Sequence, residues 1–93
     1  MEPIKTETFF GSRYVPLKQA LDQIGGRVEW DNAAKRATIH ANNKTILVTM
    51  EQTSVEANGM SFSLSQPPLV QNGVLYVPED FFTAVVGQNV YLS

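Results

Sequence analysis

One pattern occurs twice in the chain, and it limits the folds available more than any other feature. Gly11-Ser12-Arg13-Tyr14-Val15-Pro16 leads into Leu17-Lys18-Gln19-Ala20-Leu21-Asp22-Gln23-Ile24-Gly25, and Asn72-Gly73-Val74-Leu75-Tyr76-Val77-Pro78 leads into Glu79-Asp80-Phe81-Phe82-Thr83-Ala84-Val85-Val86-Gly87. The turn glycine, tyrosine, valine, proline and closing glycine share one register. Aromatic and β-branched residues favour a strand. Proline suits a first helical position, where its missing N–H would be unpaired anyway. The closing glycine takes the left-handed backbone that ends a helix. Each copy therefore reads as turn, strand, proline-started helix and glycine stop.

The helices of the two copies differ. Leu17, Ala20, Leu21 and Ile24 form one apolar stripe, leaving Lys18, Gln19, Asp22 and Gln23 to face water. Phe81, Phe82, Ala84, Val85 and Val86 are apolar on more than one side, so the second helix is expected to be the more buried. Glu79 and Asp80 fall in its first turn, where the helix dipole favours negative charge by about 0.3–1 kcal/mol.

Between the copies the hydrophobic period is two. Val28 and Trp30 share a strand face opposite Arg27, Glu29 and Asp31. Alternation through residues 35–40 and 45–50 around Asn42-Asn43 predicts a hairpin. Residues 55–57 and 60–64 around Asn58-Gly59 predict a second. Ser65-Gln66-Pro67-Pro68 reads as an extended loop, and residues 89–92 as a strand equivalent to the one holding Trp30. The fold class that follows is α+β, with a twisted antiparallel β-sheet of short hairpins packed around two short helices. Residues 1–8 read as a flexible lead.

A chain of 93 residues has room for one domain. It is 43% hydrophobic and 17% charged, with enough aromatic mass for a packed core. A net charge of −2 with scattered basic residues gives no footprint for nucleic acid or anionic lipid. No run approaches the roughly 20 apolar residues of a membrane span. Cysteine is absent and histidine occurs once, so a thiolate cluster or a site of several imidazoles cannot form within one chain.

Arg13 to Leu17, Val28 to Asp31, Val55 to Gly59, Pro67-Pro68 and Asn72 to Pro78 together resemble the copper amine oxidase N-terminal-like, or stalk, domain family. The resemblance runs from about Ser12 to Leu92 and implies an antiparallel sheet curved around helix. It also implies a secreted or envelope setting in bacteria, with the domain standing beside other modules of a parent chain. Met1 then reads as an addition to an excised domain. The family's copper and quinone belong to a separate catalytic domain, so no cofactor is expected here. Where the family's second copy continues Pro-Leu-Arg, this chain has Pro78-Glu79-Asp80, and an interface built on that arginine does not transfer.

No residue set reads as catalytic. His40 is read as a surface residue of a strand, and Glu29 with Asp31 as a solvated strand face lacking the third carboxylate of a calcium loop. The recurring Tyr14 and Tyr76 are read as rings covering the core, with hydroxyls reaching the surface or a backbone carbonyl. The surface residues expected to meet a partner are Tyr14, Trp30, Tyr76, Phe81 and Tyr91. The leading expectation is a non-enzymatic module that contacts a protein partner, a neighbouring domain or a second copy. Two alternatives are a polysaccharide-binding module using Trp30, Tyr14, Tyr76 or Tyr91, and a protease inhibitor projecting Ser65 to Val70.

Overall fold

The two Tyr-Val-Pro triplets lie side by side in the computed structural model, which describes residues 2–93. Met1 lies outside the described residues. The elements in chain order are β1 (Glu7–Phe9), β2 (Ser12–Pro16), α1 (Leu17–Ile24), β3 (Arg27–Asp31), β4 (Arg36–Ala41) and β5 (Lys44–Thr49). There follow β6 (Ser54–Ala57), β7 (Met60–Ser63), β8 (Leu69–Gln71), β9 (Val74–Pro78) and a π-helical turn at Phe81–Val86. The strands form an α+β fold with antiparallel pairing, divided into a four-stranded sheet β1-β2-β9-β8 and a five-stranded meander β3-β4-β5-β6-β7.

The four-stranded sheet has a local twofold. Strands β2 and β9 are antiparallel with Tyr14 opposite Pro78, Val15 opposite Val77 and Pro16 opposite Tyr76. Each carries its own hairpin, with Phe9 opposite Ser12 on one side and Gln71 opposite Val74 on the other. The hairpin turns, Phe10-Gly11 and Asn72-Gly73, therefore project from opposite ends of the sheet. Pro16 and Pro78 end their strands, and Pro16 is extended (φ −66, ψ 117). The expected proline-started helices thus begin later, at Leu17 and Phe81. A proline at that point removes no ladder hydrogen bond, because β1 reaches only as far as Tyr14.

Helix α1 buries Leu17, Ala20 and Leu21 and closes on left-handed Gly25, with the Gly26 amide bonding to the Leu21 carbonyl at 2.8 Å. Its counterpart is wound wider. Phe81–Val86 is π-helical, its turns spanning five residues, and the Gly87 amide closes it on the Phe82 carbonyl at 2.8 Å. That spacing stacks the pair Phe81-Phe82 over Val85-Val86, so all four are buried while Thr83 and Ala84 face solvent. The tighter α-turn would spread those four over a broader arc. Lys44 Nζ, 3.2 and 3.0 Å from the Val85 and Val86 carbonyls, and Asn42 Nδ2, 2.9 Å from the latter, close its C-terminal end.

One apolar core joins both sheets and both helices, with Val15, Val77, Leu21, Ile39, Ile46, Val48 and Phe82 among its members. The lead is not free. Ile4 is buried and makes a parallel bridge with Leu92, the Ile4 amide reaching the Tyr91 carbonyl at 2.9 Å. Residues 89–92 therefore pair with the lead and do not repeat the strand that holds Trp30. Apolar Ile4 and Leu92 cover one another, which the polar residues around them conceal in the sequence.

Candidate functional site

An apolar groove of about 730 Å³ lies between the two sheets. The first turn of α1 forms its floor through Pro16 and Leu17, because β2 delivers the chain there directly. One wall is the β8–β9 hairpin, with Val70, Gly73, Val74 and Leu75. Opposite stand Val28 and Trp30 of β3 and Met50 just after β5. Strands β8, which supplies Val70, and β3, which supplies Val28 and Trp30, are each the outermost strand of a sheet. Trp30 is 45% exposed and Val70 52%.

The charged residues lining the groove are Lys18 and Lys35. Lys35 Nζ donates to Asn32 Oδ1 at 2.9 Å. Asp31, next to Trp30, points its carboxylate at its own turn, accepting from the Ala33 and Ala34 amides at 3.0 and 3.2 Å. Glu29 is likewise engaged, 3.2 Å from His40 Nε2 and 3.9 Å from Arg27 Nε. Among the described residues no three ligating side chains converge on a metal position. The groove offers shape, apolar contact and positive charge, and the side chains lining it form no acid–base or nucleophile pair.

The five residues expected on a partner surface do not come together. Trp30 is in the groove wall. Tyr91 is 53% exposed, with its amide held by Gln23 Oε1. Tyr76 is half-buried, edge-on to Phe9 with ring centroids 5.3 Å apart. Tyr14 and Phe81 are fully buried, which removes both from any surface. Tyr14 is enclosed because both faces of β2 are covered: Val15 faces the main core while Phe9 lies against the Tyr14 ring at 5.5 Å. Its hydroxyl donates to the Pro67 carbonyl at 2.8 Å, as expected for a ring with a backbone acceptor. Burial first, and the nearby Asp80 carboxylate second, raise the Tyr14 hydroxyl above its ordinary 10.0. The stability that goes with this is present below the unfolded value and is lost as pH rises through the folded one.

Glu79 and Asp80 precede the π-turn and act on the tertiary structure, in place of the expected helix-dipole role. Asp80 accepts from the Ser65 amide and hydroxyl, both at 2.9 Å, and Glu79 lies 3.6 Å from Arg13. Within the Ser65 to Val70 segment, Pro67 is held by Tyr14 and Pro68 is buried, whereas Ser65 and Val70 are exposed. The groove residues missed from sequence are Val74, Lys18 and Met50. Phe10, one of the aromatics that a small sheet with two short helices cannot all hide, occupies the register of Asn72 in the other copy.

A family model described as Copper amine oxidase N-terminal domain matches residues 5–93. No curated protein matches the chain.

Proposed function

The chain belongs to the copper amine oxidase N-terminal domain family, and on that premise we propose that it is a non-catalytic, extracytoplasmic module that works by protein contact through the groove. In copper amine oxidases this domain is separate from the catalytic one. The observation that carries the reading is the groove itself. Its apolar walls stand between two sheet edges, with Trp30 and Val70 left half open to solvent. An extended segment from a neighbouring domain or another protein gains both apolar burial and backbone pairing there.

A photo-reactive benzophenone residue in place of Val70 tests this. Irradiation in the presence of the secreted and envelope material of the source cells is expected to yield covalent adducts to protein, diminished by Trp30→Ala. Adducts to no protein, with retention on insoluble cell-wall glycan that Trp30→Ala abolishes, would support polysaccharide binding and overturn the proposal. Against the glycan reading, Trp30 and Tyr91 take no part in the ring pairs among the described residues, which are Phe9–Tyr14, Phe9–Tyr76 and Phe81–Phe82. A stacking platform would have to rest on single rings.

A further inference from the structure

Resting on the protein-contact reading, we propose that the occupant of the groove is a second copy of this chain. The β1–β2 hairpin tip of one molecule inserts Phe10 between Trp30 and Val70 of the next.

The tip is the first observation. Among the described residues four tight hairpin turns have positive φ at both central residues, Phe10-Gly11, Asn42-Asn43, Asn58-Gly59 and Asn72-Gly73. Every one of these positions is asparagine or glycine except Phe10, which sits at φ 53 and is 82% exposed. A bulky side chain is strained in that conformation, and nothing in its own molecule covers the ring. The matching turn uses asparagine, so the fold does not require an aromatic residue at this point.

The groove is the second. The local twofold equates Lys18, at the start of α1, with Asp80, at the start of the π-turn. Around Asp80 the chain supplies its own cover, since Ser65 bonds to it twice and Pro67 is held by Tyr14. Around Lys18 no equivalent hydrogen bond is made among the described residues; it is exposed and lines the groove. One half of a pseudosymmetric pair is filled from within and the other is open.

Placement and charge are the third. Because β2 and β9 are antiparallel, Phe10 and Val74 project from opposite ends of one sheet. A knob at one end and a groove at the other join heterologously, giving an open row of copies in place of a closed dimer. Exposed Glu7 on edge strand β1 accompanies the knob, whereas the groove presents Lys18 and Lys35. Of the cations near that hairpin, Arg13 is engaged by Glu79 and the Ser93 carbonyl, and exposed Lys5 stands before β1, away from the turn.

The test is sedimentation of the chain over a wide concentration range, with two variants and their mixture. The wild type is expected to associate reversibly. Phe10→Asn, which keeps the groove and removes the knob, and Val70→Lys, which keeps the knob and closes the groove, are each expected to weaken association by about thirtyfold or more. Phe10→Asn is also expected to melt higher than the wild type, since asparagine suits the turn, and this separates lost association from lost folding. Mixed in equal amounts, the two variants are expected to form a one-to-one complex, because each supplies what the other lacks. A monomeric wild type at the highest attainable concentration, or a mixture that stays monomeric while the wild type associates, would overturn the proposal. So would undiminished association of Phe10→Asn. Adducts from position 70 to a different protein, beside a monomeric wild type, overturn self-assembly and leave the protein-contact reading standing. No protein adduct at all overturns both.

Discussion

Phe82→Ala is expected to lower the unfolding free energy by about 3–5 kcal/mol, a large share of the roughly 5–15 kcal/mol that holds a small domain together. Phe82 is 1% exposed and stands edge-on to Phe81, with ring centroids 5.1 Å apart at 89°. Its truncation opens a void inside the one core that both sheets share, where the surrounding strands cannot collapse without losing register. The neighbouring positions should behave oppositely. Thr83→Glu and Ala84→Lys are expected within about 0.5 kcal/mol of wild type, because the wide turn presents both residues to solvent. Urea unfolding of the three variants checks the contrast. Comparable losses at all of them would mean that the turn buries a different face.

The second large effect is expected at a glycine whose backbone is unremarkable. Gly26 is outside the left-handed region, so alanine is conformationally acceptable there, yet an added Cβ would lie 2.9 Å from Leu21 Cδ2, 3.0 Å from the His40 carbonyl oxygen and 3.1 Å from Ala41 Cβ. The leucine methyl can turn aside. The carbonyl belongs to β4, next to the Arg27–His40 pair of the sheet, and cannot move without disturbing the ladder. Gly26→Ala is therefore expected to cost about 1–3 kcal/mol, which for a domain of this size lowers Tm by about 4–8 °C per kcal/mol. Gly25→Asn is the informative control. Open space surrounds Gly25 at φ +77, and asparagine tolerates that backbone, so a milder loss is expected. Thermal melts that rank Gly25→Asn below Gly26→Ala would contradict close approach as the cause.

Much of this scaffold was legible because the repeat states its local geometry openly. Asn58-Gly59 and Asn72-Gly73 sit where both turn residues need positive φ, and the closing glycines Gly25 and Gly87 have matching left-handed backbones. What the repeat does not state is its pairing partner. That the two Tyr-Val-Pro strands lie against each other around Val15 and Val77 follows from long-range burial, which no local period encodes. The same limit explains Tyr14. An aromatic residue on a short strand reads as a rim residue until the covering of both faces of β2 is known.

The winding of the second helix is hidden for a related reason. Apolar residues on more than one side predict the more buried helix, and it is, but only the wider winding gathers four of them on one face and releases Ala84. The groove lay furthest out of reach. It exists because residues far apart in the chain, Val28 and Trp30 of β3 and Val70, Val74 and Leu75 of the β8–β9 hairpin, line one surface with the first turn of α1. The clue that was present is the mismatch of Phe10 with Asn72, which becomes informative once the twofold shows that both occupy the same turn.

Trp30 is the single tryptophan of the chain and stands in the groove wall, so its fluorescence reports on that surface alone. The most direct test is its emission maximum as the chain is concentrated from the micromolar to the millimolar range. The expected result is a shift to shorter wavelength with concentration, as a second copy excludes water from the groove, and no shift in Phe10→Asn. An emission maximum that stays constant over that range, or one that shifts equally in Phe10→Asn, would contradict the account.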